Sequence, residues 1–191
     1  MNKEDLLKQI AETAYDVGFG AKKHFASYDM IEKIPFIINF IAITVGIFAL
    51  IFDELTIRPL SATLIILGII GMCISAYDAN KNDFNLKGIK LTDIFQELKI
   101  LYFIVKANNN NNLQESVVKL EKLKSDFYSN TISKQVLLSD WYAHYKFFWQ
   151  HQIDWINDEL NFKFWRDKIP LSLTLLIILI ISLTIYLEFI K

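Results

Sequence analysis

Three long apolar runs stand out in a chain that is otherwise amphipathic. The first two, 34–52 and 60–77, carry no charged residue and are joined by the short turn 53–59. Each run is long enough, at about 1.5 Å per residue, to cross a hydrocarbon core about 30 Å thick. Because a helix satisfies its own backbone hydrogen bonds in lipid, the pattern predicts a two-helix transmembrane hairpin over residues 34–77.

The third apolar run, 169–190, follows a segment rich in aromatic and basic residues, 162–168. Such residues favour the headgroup level of a bilayer. Since the run is rich in Leu and Ile all round, the pattern predicts a third transmembrane helix over residues 169–191. A helix buried within protein is the alternative.

Small and polar residues share one face of each arm of the predicted hairpin. Small side chains let helix backbones approach closely in lipid, where apolar contacts alone do not hold helices together. The pattern favours packing within the hairpin over a pore-lining face. The two uses do not exclude each other, because in an oligomer one small-residue face can pack against a partner chain. These candidate residues are Asn39, Ala42, Gly46 and Ala49 in the first arm, and Ser61, Gly68, Gly71 and Ser75 in the second.

The residues before the hairpin, 1–33, form an N-terminal amphipathic cytosolic helix in this interpretation. Gly18 and Gly20 mark a bend or a close helix contact, because glycine weakens a helix interior. Pro35 suits the first turn of a new helix, which predicts a break near residues 32–34. The apolar stripe recurs at steps of three and four residues: Leu6, Ile10, Ala14, Val17, Ala21, Phe25, Tyr28 and Ile31.

Residues 78–168 predict a cytosolic helical domain. A polar loop over 78–90 is followed by two amphipathic stripes, 91–105 and 113–127, joined by a loop of five consecutive asparagines, 108–112. A third helix begins near Ser133 or Ser139 and is rich in aromatic residues. Its predicted core face contains Leu137, Trp141, Tyr145, Phe148, Gln152 and Trp155.

A strip of acidic and histidine side chains lies beside that face. His144, His151 and Asp154 are weak candidates for a divalent metal site, since imidazoles and carboxylates on one helix face can share an ion. The ordinary solvated face of an amphipathic helix is the favoured interpretation, and a pH-sensitive histidine pair is a further alternative. The strip as a whole is Asp140, His144, His151, Asp154 and Asp158.

Charge and composition narrow the class of protein. A net charge of -1 argues against a nucleic-acid partner, and the single cysteine, Cys73, excludes a disulfide framework. Since no phosphate-binding loop, nucleophile pair or zinc spacing is present, we expect neither an enzyme nor a cofactor. The chain therefore fits an all-α membrane protein: a transmembrane hairpin, a cytosolic amphipathic helical bundle and a C-terminal third transmembrane helix.

Lysine and arginine counts predict the orientation. Residues 1–33 hold five and residues 78–168 hold thirteen, whereas the hairpin turn and the tail hold one each. Because basic residues are retained on the cytoplasmic side, the N-terminus and residues 78–168 are expected in the cytoplasm. The predicted location is the cell's inner (cytoplasmic) membrane.

The lead-in helix also suggests a family. A helix carrying Tyr15, Gly18, Gly20, the run 21–24 (AKKH) and Tyr28, followed by a tight membrane hairpin and an amphipathic region, resembles the SLATT proteins over about residues 6–127. The name abbreviates SMODS- and SLOG-associating two-transmembrane effector domain. The third apolar run departs from that two-span pattern.

The resemblance implies a membrane effector of a bacterial conflict system, active in antiviral defence. Such an effector is expected to oligomerise and to form a pore or perturb the inner membrane when a partner protein or a nucleotide signal triggers it. The alternative, from the scarcity of polar side chains in the hairpin, is a non-conducting membrane scaffold or adaptor that anchors a partner-binding helical domain.

Overall fold

The computed structural model describes residues 2–108 and 113–190, with side chains described as far as Tyr186. About 85% of the chain is helical, and the described ranges contain no strand. This confirms the predicted all-α fold. The helices are α1 (Lys3–Ala49), α2 (Arg58–Ser75), α3 (Lys81–Ala107), α4 (Gln114–Ser129), α5 (Ser139–Gln150), α6 (Asp154–Leu160), α7 (Phe164–Asp167) and α8 (Leu171–Ile190).

Helix α1 is the central helix, since α2, α3, α5 and α6 all pack against it. It passes through Pro35 without interruption. The predicted break at residues 32–34 is therefore wrong. A proline inside a helix removes one backbone hydrogen bond, but the side chains around it are held by packing, since Met30, Ile31 and Ile38 are all buried. Membrane-spanning helices tolerate proline where neighbouring groups compensate in this way.

Helices α1 and α3 run antiparallel. At one end the Lys3 ammonium donates to the carbonyl oxygens of Lys106 and Asn108, at 2.7 and 2.9 Å. At the other end Lys81 pairs with Glu32 at 2.6 Å. The residues facing α1 recur at alternating steps of four and three, as in coiled-coil packing: Phe84, Gly88, Leu91, Phe95, Leu98, Tyr102 and Val105 are all buried.

Helix α3 begins earlier than the sequence pattern predicts. Residues 78–80 form one turn of 3-10 helix and α3 starts at Lys81, so the predicted loop over 78–90 is wrong. Its Asn and Asp side chains disfavour a helix interior. Packing overrides that preference, because Phe84 and Gly88 face α1 and Phe25 while the polar side chains point outward.

The two glycines of α1 make close contacts and do not break the helix. A Cβ on Gly18 would lie 2.8 Å from Phe95 Cδ2. A Cβ on Gly20 would lie 3.3 Å from Phe127 Cε2 on α4. Of the two predicted outcomes, the structure confirms close helix contact.

The predicted aromatic helix is two helices, and only part of its predicted core face is buried. Helix α5 ends at Gln150, His151 is extended, and α6 begins at Asp154. Of the predicted core residues, Phe148 and Trp155 are buried, as expected, whereas Leu137, Tyr145 and Gln152 are exposed. The buried side of α5 also contains Ala143 and Phe147, which the predicted face did not include. Small Ala143 permits close approach to α1, a requirement that a count of large apolar side chains does not reveal.

Of the predicted asparagine loop, residues 109–112 lie outside the described residues.

Candidate functional site

The end of α1 and the whole of α2 form the hairpin predicted from the apolar runs. Both helices are long and apolar enough to cross a membrane. In the most apolar 18-residue stretch of each, only 11% is buried within the protein. A core helix of a water-soluble protein would be mostly buried. Large apolar side chains instead face outward, including Phe36, Phe40 and Ile65. Such a surface requires lipid or another apolar partner.

The predicted small-residue faces are largely open in the single chain. Gly71 is buried, and a Cβ there would lie 3.4 Å from Ile38 Cδ1. Gly46 and Gly68, by contrast, have nothing within 4 Å of that position. The other candidates are exposed (Asn39, Ser61, Ser75) or half-buried (Ala42, Ala49). Their use in packing or in lining a pore stays a prediction.

A small apolar cluster, here called the junction cluster, joins the hairpin to the helical bundle. Its members come from α1, α2, α3 and the segment before α5. The hairpin and the bundle are therefore packed against each other at this cluster. The buried members are Met30, Ile31, Ile74, Phe84 and Val136.

Ion pairs surround the junction cluster. The Asp29 carboxylate accepts hydrogen bonds from Lys146 on α5 and from Lys33 at 3.0 Å. Burial acts to raise the pKa of Asp29, but the two lysine hydrogen bonds outweigh it and hold the pKa below its ordinary value. The Lys146 ammonium also lies 4.5 Å from the centre of the Tyr142 ring. These contacts fix α5 to α1 beside the start of the apolar run.

His24 is a buried residue whose role the sequence pattern did not reveal. Its Nδ1 lies 2.7 Å from the Gly20 carbonyl oxygen, which requires a donor, and its Nε2 accepts from the Ile132 N–H at 3.1 Å. The ring is therefore neutral, with its proton on Nδ1. Burial lowers its pKa. The sequence does contain one sign that His24 is buried: it lies in the apolar stripe of α1, seven residues after Val17.

The three candidate metal ligands do not form a site among the described residues. No group of three His, Cys, Asp or Glu side chains converges in the described part of the chain. The break between α5 and α6 separates Asp154 from His144. His144 packs against Phe148, and His151 packs against Phe95 with ring centroids 4.8 Å apart.

Both of these histidines are partly buried aromatic side chains. Burial lowers the pKa of His144 and lowers that of His151 to about 4. Each ring therefore stays uncharged at neutral pH. The Nδ1 atom of each is buried without a hydrogen-bond partner. A role of the pair in sensing pH stays a prediction.

Helix α8 begins beside α5. The Trp141 indole N–H donates to the Ser172 hydroxyl oxygen at 2.9 Å. Trp141 also lies close to Ile34 and Ile37 of α1, around one groove. The first residues of α8 therefore lie near the level at which α1 becomes continuously apolar. The described side chains from Leu175 to Tyr186 are all exposed.

Fold and site together define a helical membrane protein with a two-helix hairpin and a helical bundle. Comparison with known families agrees: the family model described as SMODS and SLOG-associating 2TM effector domain 6 (SLATT_6) matches residues 1–177. The chain belongs to this family, which confirms the predicted SLATT resemblance and extends it beyond residues 6–127. No curated protein and no solved structure matches the chain.

Proposed function

We propose that the chain is a membrane effector of a bacterial conflict system that acts in antiviral defence. On a trigger from a partner protein or a nucleotide signal, it oligomerises and forms a pore or perturbs the inner membrane. The family description, an effector domain with two transmembrane helices, supports the proposal. The observation that carries the mechanism is α1, a single helix that is both the centre of the bundle and the first arm of the hairpin.

In this mechanism α1 transmits the signal. A partner or ligand that favours a second packing of the bundle moves α1, and the first membrane arm moves with it because the helix has no break. The second arm follows through the junction cluster, since Ile74 on α2 packs in that cluster. A partner-induced change thus reaches both arms without a flexible linker.

The proposed membrane unit includes α8 as a third span. Its 20 residues are long enough to cross the hydrocarbon core, and the bond from Trp141 to Ser172 starts it near the level where the α1 span begins. A reporter fused after residue 191 tests this. Activity on the side opposite the N-terminus supports a third span, and activity on the same side contradicts it.

The glycine faces of the hairpin test the effector mechanism. We expect Gly68→Leu and Gly71→Leu to reduce toxicity on induced expression and to change oligomer size, because bulky side chains prevent close helix approach. Ile70→Leu, a conservative change at an exposed position of the same helix, is the matched control. Unchanged toxicity and oligomer size in both glycine variants would contradict the mechanism.

A non-conducting scaffold is the second candidate function. It is favoured by one observation: Asn39 is the only amide side chain within residues 34–77. A permanently wet pore usually has more polar groups. A hydrophobic gate that wets on activation is compatible with the same composition. Under either function we propose a homo-oligomer in a lipid bilayer, without catalysis, a cofactor or nucleic acid.

A further inference from the structure

A groove on the cytosolic side of the hairpin has the features of a lipid site. It has a volume of about 370 Å³ and lies between α1 and the start of α5. Met30, Ile34 and Ile37 line it from α1, and Trp141 and Tyr142 line it from α5. Its lining is mostly apolar, but charged Asp29 and Lys33 lie at one end.

The groove crosses the level at which the protein surface changes from charged to apolar. Asp29 and Ile37 are eight residues apart on α1, so the groove extends about 12 Å along the helix. Lys33 is the last charged residue before the uncharged run 34–52. Tryptophan and tyrosine favour this interfacial level in membranes. Phe36 and Phe40, close in sequence to Ile37 at the apolar end of the groove, are exposed on the hairpin surface.

The charged end carries a surplus of positive charge. One carboxylate, Asp29, pairs with two ammonium groups, those of Lys33 and Lys146. The Lys146 side chain is mostly buried at 15% exposure, whereas Lys33 is 60% exposed. Because Lys146 alone can neutralise Asp29, the Lys33 ammonium is able to bind an anion at the headgroup level.

We propose that this groove binds one anionic phospholipid. The lipid phosphate lies beside the Lys33 ammonium, and the first part of an acyl chain lies against Ile34 and Ile37. The lipid then connects α1 to the start of α5, which contacts α8 through the hydrogen bond from Trp141 to Ser172. This inference requires only that the hairpin is in a membrane, so it stands or falls separately from pore formation.

Native mass spectrometry of the full chain in mild detergent tests the inference. The protein is mixed with equal amounts of phosphatidylglycerol and phosphatidylethanolamine of the same chain length. We expect wild-type protein to retain phosphatidylglycerol preferentially, and K33Q to reduce that retention about fivefold, the effect of one lysine near a lipid surface. The matched control is K81Q, because Lys81 is also paired with one acidic side chain of α1, Glu32. We expect K81Q to behave as wild type.

A second variant tests the acyl-chain contact. I37W fills the apolar end of the groove, and we expect it to reduce retention of both lipids. Circular dichroism and the unfolding midpoint show that each variant is folded. Equal retention of phosphatidylglycerol by wild type, K33Q and K81Q would overturn the proposal, as would full retention by I37W.

Two further arms distinguish other occupants. Glycerophosphate, which lacks acyl chains, is added at the same concentration as the lipid. If it displaces phosphatidylglycerol, the groove is a simple anion site and the lipid proposal is wrong. Lipid-free dimers that are lost in I37W would show that a second copy covers the groove, which also overturns it. No displacement and a lipid-bound wild type support the proposal.

Discussion

Replacing Gly18 with alanine tests how closely the helical bundle is packed. A Cβ there would lie 2.8 Å from Phe95 Cδ2 and 2.9 Å from Phe147 Cε2. Both rings are fully packed, at 1% and 0% exposure, so neither can move away freely. Inserting a methyl group into a filled core costs about 1–3 kcal/mol. We therefore expect G18A to destabilise the bundle.

The matched control is G20A, two residues further along α1. Alanine favours a helix interior over glycine by about 1 kcal/mol at either position, so that gain cancels between the two variants. The Cβ of residue 20 would lie 3.3 Å from Phe127 Cε2, in a ring that is only half-buried and can shift. We expect G18A to be less stable than G20A by about 1–3 kcal/mol.

Thermal unfolding in mild detergent, followed by tryptophan fluorescence at one scan rate, measures the difference. At about 2–4 °C per kcal/mol for a chain of this size, the G18A midpoint is expected about 2–12 °C below that of G20A. F147L should relieve the Phe147 part of the clash, while the contact with Phe95 stays, so that G18A/F147L is somewhat more stable than the sum of the single effects predicts. Equal midpoints, or simple additivity, would refute the proposed packing.

Three further predictions concern charges and hydrogen bonds. D29N should lower the free energy of unfolding by about 1–3 kcal/mol, because it leaves Lys146 partly buried without its carboxylate. D78N is the comparison: it removes an exposed ion pair with Lys81 at 3.6 Å and should lower the free energy of unfolding by less than about 1 kcal/mol. Y102F should cost about 1.5–3 kcal/mol by removing the 2.7 Å hydrogen bond to Glu159, and an unchanged midpoint would contradict this. Burial lowers the pKa of all three histidines, so the unfolded chain binds more protons. The free energy of unfolding should therefore fall as the pH drops from about 6.5 toward about 4, and a flat profile would refute that.

The apolar runs and stripes predicted much of the fold. A charge-free run of membrane length has few possible structures other than a membrane-spanning helix. The apolar stripe over 91–105 likewise indicates helix α3 directly. The errors came where packing overrides local preference. Pro35 and the asparagine-rich start of α3 lie within helices because their neighbours are buried against the junction cluster.

The candidate site was less accessible to sequence reasoning. His24, the pairing of Asp29 with Lys146, and the groove beside Ile37 all depend on residues more than one hundred positions apart. No local pattern reports such contacts. The histidine strip does not form a metal site among the described residues for a related reason: residues 151–153 separate the two helices that the pattern had joined.

Ion leak from liposomes tests the central claim most directly. Purified full-length protein is reconstituted alone and with candidate nucleotide signals, and oligomer size is recorded on the same samples. The effector mechanism predicts leak that appears together with assembly and is lost in Gly68→Leu and Gly71→Leu. A well-inserted, stable oligomer that conducts no ions under any of these conditions would contradict it and favour the scaffold.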